Sequence, residues 1–382
     1  MQTKIKKLSL TNFRNHQSFK FESDASVISI IGQNGSGKTN ILEAISLLSP
    51  ISKGIRGAKI SEFQKFEVPS EASQEGLQDS NFVQPWTVFS EIETDDDEIS
   101  LGVSFEKESA EKKTEKKIYN LNGDKLKKPA QEIPQYFSYV SLVPTQDHTF
   151  SSGSTSRRDF LDRLASVFFY DYQTILNNFE SLKSQRRRLL YSYPIDDFWI
   201  SSLEEQMASA AVIVASYRNE VIDLLNKNIN AAEMSEFPAA IVSVKGEIEN
   251  NLLEMKGLEV EQEYAVKLKN ERQQDKESNR TNSGIHRSDF VALHGIKKMP
   301  AEICSMGEQK AVLLSIILST ILAKKSFSGR TPLLLLDEVA AHLDEVKRGR
   351  LYEFIKNVDC QTWLTSTEKE HFLGLDSEII QL

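Results

Sequence analysis

The sequence predicts an α/β fold. A mixed sheet and an antiparallel β lobe form a head, and a helical-hairpin lobe is inserted between the two halves of that head. Three observations carry this reading. A short β-branched run at residues 27–31 meets a glycine-rich turn at 32–38, and apolar residues then recur at helical spacing. Residues 86–121 alternate as antiparallel strands do. From about Arg157 to Ile229 the period changes to three- and four-residue steps, and an apolar strand returns at 333–336.

In chain order, residues 5–10, the polar TNFRNH at 11–16, and 18–21 read as strand, turn and strand. VISII at 27–31 is typical of a buried strand, and Ile41, Leu42, Ile45 and Leu48 mark the helix after the glycine turn. Residues 69–81 are loop-like. Strands are expected at 86–92, 99–105 and 117–121, with Asn122-Gly123 as a turn signal. Leu161, Leu164, Phe168, Tyr172, Ile175, Phe179, Leu182 and Leu189 then recur at helical spacing, with one gap. Tyr193-Pro194 interrupts them, and Leu203, Met207, Ala210, Val214, Tyr217, Val221 and Leu225 mark a second helix. Two helices of similar length imply an antiparallel hairpin with arms of about 40 Å. Residues 258–283 are polar and charged, 290–293 are apolar, and a helix is expected over 308–324.

A chain of 382 residues accommodates one large domain with an insertion, or two domains. At 40% hydrophobic and 26% charged residues, the composition is that of a soluble globular protein. The longest apolar run, 311–323, is short of a membrane span and contains Ser315, Ser319 and Thr320. The opening MQTKIKKLSLTNF offers a signal peptidase no apolar stretch. Cys304 and Cys360 are too few for a disulfide framework or a zinc cluster. A cytoplasmic location is therefore expected. The net charge of −9 disfavours a surface coated for phosphate, but charge is uneven: 91–98 is acidic, 107–128 holds eight lysines, and Arg186, Arg187 and Arg188 adjoin. Such a cluster can be a local phosphate-binding patch or merely a solvated face.

Gly32-Gln33-Asn34-Gly35-Ser36-Gly37-Lys38-Thr39 fits the phosphate-loop pattern G-x-x-x-x-G-K-[ST], between a buried strand and a helix. Glycines let backbone N–H groups curl around phosphate, and the helix N-terminus adds positive dipole. Lys38 is expected to reach the β- and γ-phosphates of ATP, and the Thr39 hydroxyl to ligate Mg²⁺. Leu333-Leu334-Leu335-Leu336-Asp337-Glu338 is an apolar strand ending in two acids. Asp337 is expected to hold the hydrated Mg²⁺, and Glu338 to orient or deprotonate the attacking water. Acids often follow strands; it is the pairing with the glycine loop that points to chemistry.

Cys304-Ser305-Met306-Gly307-Glu308-Gln309-Lys310 precedes a helix, and the acidic strand follows that helix. A serine alone caps many ordinary helices. The ordered set, with Ser305, Gly307 and Gln309 in place, resembles the signature motif of ABC-type ATPases. That resemblance implies contact with the γ-phosphate of ATP bound to a second subunit, for which a hydroxyl at a helix N-terminus is suited. Ala341-His342-Leu343-Asp344 resembles the D-loop, with Asp344 in the matching place. Val143-Pro144-Thr145-Gln146-Asp147 lies where a Q-loop is expected, and Gln146 is its glutamine. Trp363-Leu364-Thr365-Ser366-Thr367 ends a strand where many ABC-type ATPases carry a switch histidine. None stands there, and His371 reads as too far along. A hydroxyl from Thr365 or Thr367 is expected instead, in keeping with slow hydrolysis. The fold class is thus an ABC-type ATPase head, 1–160 and 282–382, with an inserted helical lobe, 161–281.

The separation of Thr39 from Ser305 exceeds a transporter ATPase domain and falls far short of the coiled-coil arms of SMC-type proteins. The whole chain resembles the RecF family of bacterial recombination-repair proteins. Thr11-Asn12-Phe13-Arg14-Asn15 matches its NFRN element, whose arginine is expected near the nucleotide. Arg157-Arg158-Asp159-Phe160-Leu161-Asp162 resembles its RRxFLD stretch, and Gly284-Ile285-His286-Arg287-Ser288-Asp289 its GPHRxD segment, with Ile285 for the usual proline. The resemblance implies an ATP-dependent homodimer on DNA that prefers gapped or single-strand/duplex junction DNA. It also implies help in loading RecA with RecO and RecR, and a nucleoid-associated cytoplasmic protein with no membrane partner. Slow hydrolysis then serves as a release timer, because an associating clamp works by population shift. The lysines of 107–128 and Arg186, Arg187 and Arg188 are candidate DNA contacts. A nuclease-linked ABC ATPase would need a second acidic metal cluster, for which the stretch after Glu338 leaves no room. A translation factor would carry two cassettes, and one glycine loop is present. The alternative is another soluble ABC-type ATPase acting on a non-DNA partner.

Overall fold

The opening strand, β1 (Lys4–Phe13), departs from simple alternation in a way that decides its packing. Ile5 and Leu8 are both fully buried, although an odd spacing places two side chains on opposite faces of an unbroken strand. A bulge between Ile5 and Lys7 returns them to one face. The strand also continues through Phe13, and β2 (His16–Glu22) begins at His16, so the expected polar turn shrinks to Arg14 and Asn15. Asn12 and Arg14 both adopt positive φ to make it. The computed structural model describes residues 3–65, 85–94, 97–107, 115–192, 196–229, 234 and 237–382. The expected loop at 69–81, Tyr193-Pro194, Lys112 and Lys113 lie outside them.

The chain divides into two compact units, 1–146 with 324–382, and 147–323. In the first, β3 (Val27–Ile31) leads to α1 (Lys38–Leu47), and β4 (Thr87–Glu93), β5 (Glu98–Lys107), β6 (Glu115–Leu121) and β7 (Asp124–Lys125) follow. Asn122 (φ 51°) and Gly123 (φ 89°) turn β6 into β7, as Asn-Gly is suited to do. After α2 (Pro129–Glu132) comes β8 (Tyr139–Leu142); β12 (Leu333–Asp337), α10 (Glu345–Asn357), β13 (Thr362–Ser366) and β14 (Glu378–Gln381) complete the unit. Two sheets result: a six-stranded antiparallel one, β2-β1-β4-β5-β6-β7, and a five-stranded one, β14-β3-β13-β12-β8, parallel throughout. β12, whose residues are all buried, reads as an unbroken apolar run up to Asp337 because both its faces are covered. α1 packs on β12 and β13 of one sheet and on β1 and β4 of the other, so Ile41, Leu42, Ala44, Ile45 and Leu47 are all fully buried.

The second unit contains α3 (Ser154–Phe168), α4 (Tyr172–Leu190), α5 (Asp197–Ile229), β9 (Ala240–Lys245), α6 (Glu247–Asn251), α7 (Gly257–Asn270), α8 (Arg272–Ser278), β10 (Asp289–His294), β11 (Met299–Pro300) and α9 (Met306–Ser328) as far as Ala323. The first arm of the expected hairpin is two helices rather than one. Phe169 is extended between them and stacks on Tyr217 of α5, with ring centroids 4.0 Å apart. The arms also differ in length: α4 has 19 residues and α5 has 33, about 28 Å and about 50 Å. α5 is the spine, touching α3, α4, α6, α7 and β9. α9 is longer than its apolar run suggested. It is the one helix among the described residues long and apolar enough to cross a membrane, but 72% of its most apolar window is buried within the fold, as in a core helix.

Charged residues hold this unit together from inside. Arg186 is fully buried, bonding Glu204 (2.9 Å), Asp275 (2.6 Å) and the Leu268 carbonyl (2.6 Å). Arg218, 1% exposed, bonds Asp162, Glu249 (2.9 Å) and the Ile285 carbonyl (2.8 Å). Arg186 is thus withdrawn from any role on a DNA-facing surface. Lys117 is withdrawn too: its ammonium donates to the Pro50 and Ser52 carbonyls, and burial pushes its pKa down to about 8. Arg187, Arg188, Lys116, Lys125, Lys127 and Lys128 are exposed. Removing Arg186 leaves buried Asp275 without its cation, whereas Glu204 keeps Arg272 at 2.6 Å, so Arg186→Ala is expected to cost about 3–5 kcal/mol. Arg188→Ala is expected to stay within about 0.5 kcal/mol. Urea unfolding of the two variants checks this, and equal losses would refute the assignment.

Candidate functional site

In a parallel sheet all strands end on one edge, so β3, β13 and β12 deliver Ile31, Ser366 and Asp337 side by side. The loop after β3 folds back over this edge. Lys38 is 4% exposed; its Nζ donates to the Gly32 carbonyl (2.8 Å) and the Gln33 carbonyl (3.2 Å) and pairs with Glu338 Oε1 at 3.3 Å. Asn34 and Gly35 form the exposed tip, Gly35 at φ 85°. Gly37, at φ 104°, is the N-cap of α1; no side chain caps that helix, and its first turn contains no acid. Ser36 Oγ is buried with no partner among the described residues. A glycine cradle at positive φ, an uncapped helix N-terminus, a buried ammonium and an orphaned hydroxyl together suit a phosphate chain.

The two acids are held by hydroxyls. Thr39 Oγ1 donates to both Asp337 carboxylate oxygens (2.9 and 3.0 Å), and Thr365 Oγ1 donates to Asp337 Oδ1 at 2.6 Å. Burial holds Asp337 above its ordinary carboxylate range, against the pull of those hydrogen bonds. Glu338 has φ 56°, a strained backbone for a non-glycine residue, and its N–H donates to Thr365 Oγ1 at 3.0 Å. The described residues contain no group of three or more His, Cys, Asp or Glu that could hold a metal. A hydroxyl and one carboxylate fit Mg²⁺, which keeps several waters and takes phosphate oxygens rather than a full protein cage.

The NFRN element meets the phosphate loop through its asparagine and the histidine after it rather than through its arginine. Asn15 Nδ2 donates to the Ser36 carbonyl (3.0 Å), and His16 Nε2 meets the Gly37 carbonyl at 3.2 Å, so the β1–β2 turn lies on the phosphate loop. Arg14 itself points elsewhere: Nε to Glu43 Oε2 (3.0 Å), Nη1 to the Glu62 carbonyl (2.8 Å), over the Phe63 ring. Glu43, on α1 and fully buried, also pairs with Arg56 at 3.2 Å. Arg56 in turn favours the ionised form of Asp337. Only the polar TNFRNH turn hinted at this set.

Gln146 lies just after β8, buried, with its side-chain carbonyl accepting from Val143 N at 3.1 Å. Asp344 caps α10, accepting from Lys347 N at 2.9 Å. Ser305 and Gly307 belong to the second unit. Ser305 forms a capping box with Glu308: Ser305 N and Oγ donate to Glu308 Oε2 at 3.0 and 2.9 Å. Lys297 and Ser305 together hold the Glu308 carboxyl down to about 2. Ser305 is exposed, and a Cβ on Gly307 would meet nothing within 4 Å. His371, too far along by position, is returned to the strand end, with Nδ1 2.6 Å from Ser366 Oγ.

The family model described as RecF/RecN/SMC N terminal domain matches residues 4–381. The chain is 34% identical over 372 residues to the DNA replication and repair protein RecF of Rhizobium rhizogenes, covering 97% of this chain and 94% of that protein. It is also 34% identical over 363 residues to the protein of the same name from Rickettsia felis, covering 95% and 93%. Among solved structures it resembles the recombination mediator protein RecF-ATPrS in the RecFOR pathway, with TM-score 0.81 at 24% identity over 100% of this chain and 96% of that one. It resembles the Smc head domain of Pyrococcus furiosus bound to the C-terminal domain of ScpA less closely, with TM-score 0.53 at 17% identity, covering 99% and 93%. These two likenesses are of fold.

Two expectations follow from the geometry. A Cβ on Gly37 would lie 2.5 Å from His16 Nε2 and 2.6 Å from Asn15 Oδ1, at a φ that side chains avoid. Gly37→Ala is expected to cost about 1–3 kcal/mol and to weaken ATP binding at least about tenfold, read by calorimetric titration; parent-like affinity would contradict the packed loop. The raised pKa of Asp337 means the fold disfavours its ionised form. That penalty is present at any pH above the unfolded carboxylate value, neutral pH included, and is lost as pH falls to it. Asp337→Asn, without nucleotide at pH 7, is therefore expected to melt at or above the parent's temperature while losing Mg²⁺-dependent stabilisation by ATP. A lower melting temperature would refute the sign.

Proposed function

Because the chain belongs to the RecF proteins of the RecF/RecN/SMC N-terminal-domain family, we propose that it is an ATP-dependent DNA-binding protein of replication and recombinational repair. In this reading it dimerises on ATP and DNA, recognises gapped or junction DNA, and aids RecA loading with RecO and RecR. It acts in the cytoplasm, on the nucleoid. The relatives' name, DNA replication and repair protein, and the RecFOR pathway of the structural neighbour support the process.

The observation that carries the dimer is that the residues of the expected site belong to two compact units. Lys38, Thr39, Asp337 and Glu338 converge, whereas Ser305 and Gly307 lie exposed in the other compact unit. Gly307 has ordinary φ and open space where a Cβ would go, so nothing among the described residues calls for a glycine there. A glycine early in an exposed helix costs helix stability and suits the close approach of another molecule. We assign that approach to the nucleotide held by a second copy. Compactness groups α9 with the helical unit, but by chemistry it belongs with the ATPase head, 1–160 and 282–382, and 161–281 is the inserted lobe.

Within each site, Lys38 exchanges its pairing with Glu338 for phosphate oxygens. Glu338, freed and held by its backbone bond to Thr365, orients or deprotonates the attacking water. Thr39 and Asp337 are the residues to hold Mg²⁺, whose charge offsets that of the phosphates. In this reading Gln146 frames the site, Arg14 supports it from behind through Glu43, and Asp344 faces the second copy. Hydrolysis is slow and times release.

Sedimentation with and without ATP, repeated with a gapped duplex, tests the reading: ATP is expected to convert monomer to dimer. Ser305→Arg is expected to bind ATP normally yet stay monomeric, and Lys38→Met to lose ATP binding. A chain that stays monomeric under both conditions would overturn the dimer; a Ser305→Arg chain that dimerises normally would overturn the cross-subunit site.

A further inference from the structure

β13 ends between the phosphate loop and the acid pair, and the two residues at its end have different duties. Thr365 holds Asp337 and Glu338. Ser366, fully buried, accepts from Gly32 N through its carbonyl at 3.3 Å, so its position sets the first residue of the phosphate loop. No histidine ends the strand. The chain instead makes a short helical turn at Lys369–Phe372, which packs against the turn Ala340–His342 following the acids. This places the His371 ring on Ser366 Oγ, with Nδ1 at 2.6 Å.

One contact holds the ring, one its backbone and one its serine partner. Nε2 lies 3.5 Å from Glu368 Oε2, the Tyr352 hydroxyl donates to the His371 carbonyl, and Glu368 N donates to the same Ser366 Oγ at 3.4 Å. A proton on Nε2, facing the carboxylate, leaves Nδ1 to accept the Ser366 hydroxyl. An imidazole brought back over five positions, backed by a carboxylate and aimed at a hydroxyl at the loop's hinge, is more than a strand end needs for packing.

We propose that His371 is a positioning residue for ATP hydrolysis, acting through Ser366. The Nδ1–Ser366 bond fixes the rotamer of Ser366 and, through its carbonyl, the entry of the phosphate loop relative to the two acids held by Thr365. The inference rests on the ATPase reading above. It separates binding from turnover, because the residues that grip phosphate remain in place when the ring is lost, while their alignment with Glu338 does not.

The experiment is single-turnover ATP hydrolysis and ATP binding by the full chain on gapped duplex DNA, for the parent, His371→Ala, His371→Asn, Ser366→Ala and the double variant His371→Ala/Ser366→Ala. His371→Ala is expected to slow hydrolysis about tenfold with ATP affinity within about twofold of the parent. Asparagine, whose amide reaches the place of Nδ1, is expected to recover most of the rate. The double variant is expected to be no slower than either single one, as for two residues that act as a unit. An unchanged rate in His371→Ala, a rate loss matched by lost affinity, no recovery by asparagine, or additive losses would each overturn the proposal. If the parent hydrolyses no more ATP than Lys38→Met, the ATPase reading falls and the role of His371 falls with it.

Discussion

One hydroxyl joins the two acids of the site. Thr365 Oγ1 donates to Asp337 Oδ1 at 2.6 Å and accepts from Glu338 N at 3.0 Å, so a side chain on β13 holds both residues at the end of β12. The bond to Asp337 offsets part of what burial costs that carboxylate. The bond to Glu338 steadies a backbone in the left-handed region, where a glutamate is uncomfortable. Both depend on β13 lying between β12, which precedes it in the chain, and β3, which comes from the opposite end of the sequence. Strain at Glu338 and desolvation at Asp337 are the costs one expects where chemistry outranks stability.

The helical unit follows a different constraint. Arg157 pairs with Asp289 at 2.7 Å and Arg158 donates to the Ser288 carbonyl, so the RRDFLD and GIHRSD segments face one another. Asp162 bonds Arg218, Arg218 bonds Glu249, and Glu249 accepts from Ser288 Oγ at 2.7 Å, which closes the circuit. Arg218 also donates to the Ile285 carbonyl, a backbone acceptor that does not depend on the side chain at that position. Buried ion pairs add little net stability over apolar packing, but breaking one partner is costly. Their value here is register: α3, α5, α6 and the segment before β10 must arrive together.

Much of the fold was legible along the chain. Val27–Ile31, the glycine loop and the apolar run before Asp337 announced themselves because a parallel strand covered on both faces has to be apolar without interruption. Asn122-Gly123 marked its hairpin through a backbone preference that needs no neighbour. Ser305 and Glu308 formed the capping box that their spacing permits. Less legible were the break at Phe169, which a ring on α5 stabilises, and the two ends of α9, which extend beyond its apolar centre into polar residues. Arg186 sits in a run of three arginines that composition cannot tell apart; only the third dimension buries the first against Glu204 and Asp275 and leaves the other two exposed.

By itself the sequence determined the buried strands at 27–31 and 333–337, the phosphate-loop pattern between strand and helix, and the helical period of the second half. These follow from side-chain period, glycine placement and local spacing, all properties of a few consecutive residues. Tertiary structure alone decided which groups meet. Asn15 and His16 lie on the loop, Arg14 turns to Glu43, Thr365 bridges the acids, and His371 returns to Ser366. Thr39 and Asp337 stand 298 positions apart and still share two hydrogen bonds. Strand order brings them together, and strand order comes from how buried surfaces pack rather than from anything written next to either residue.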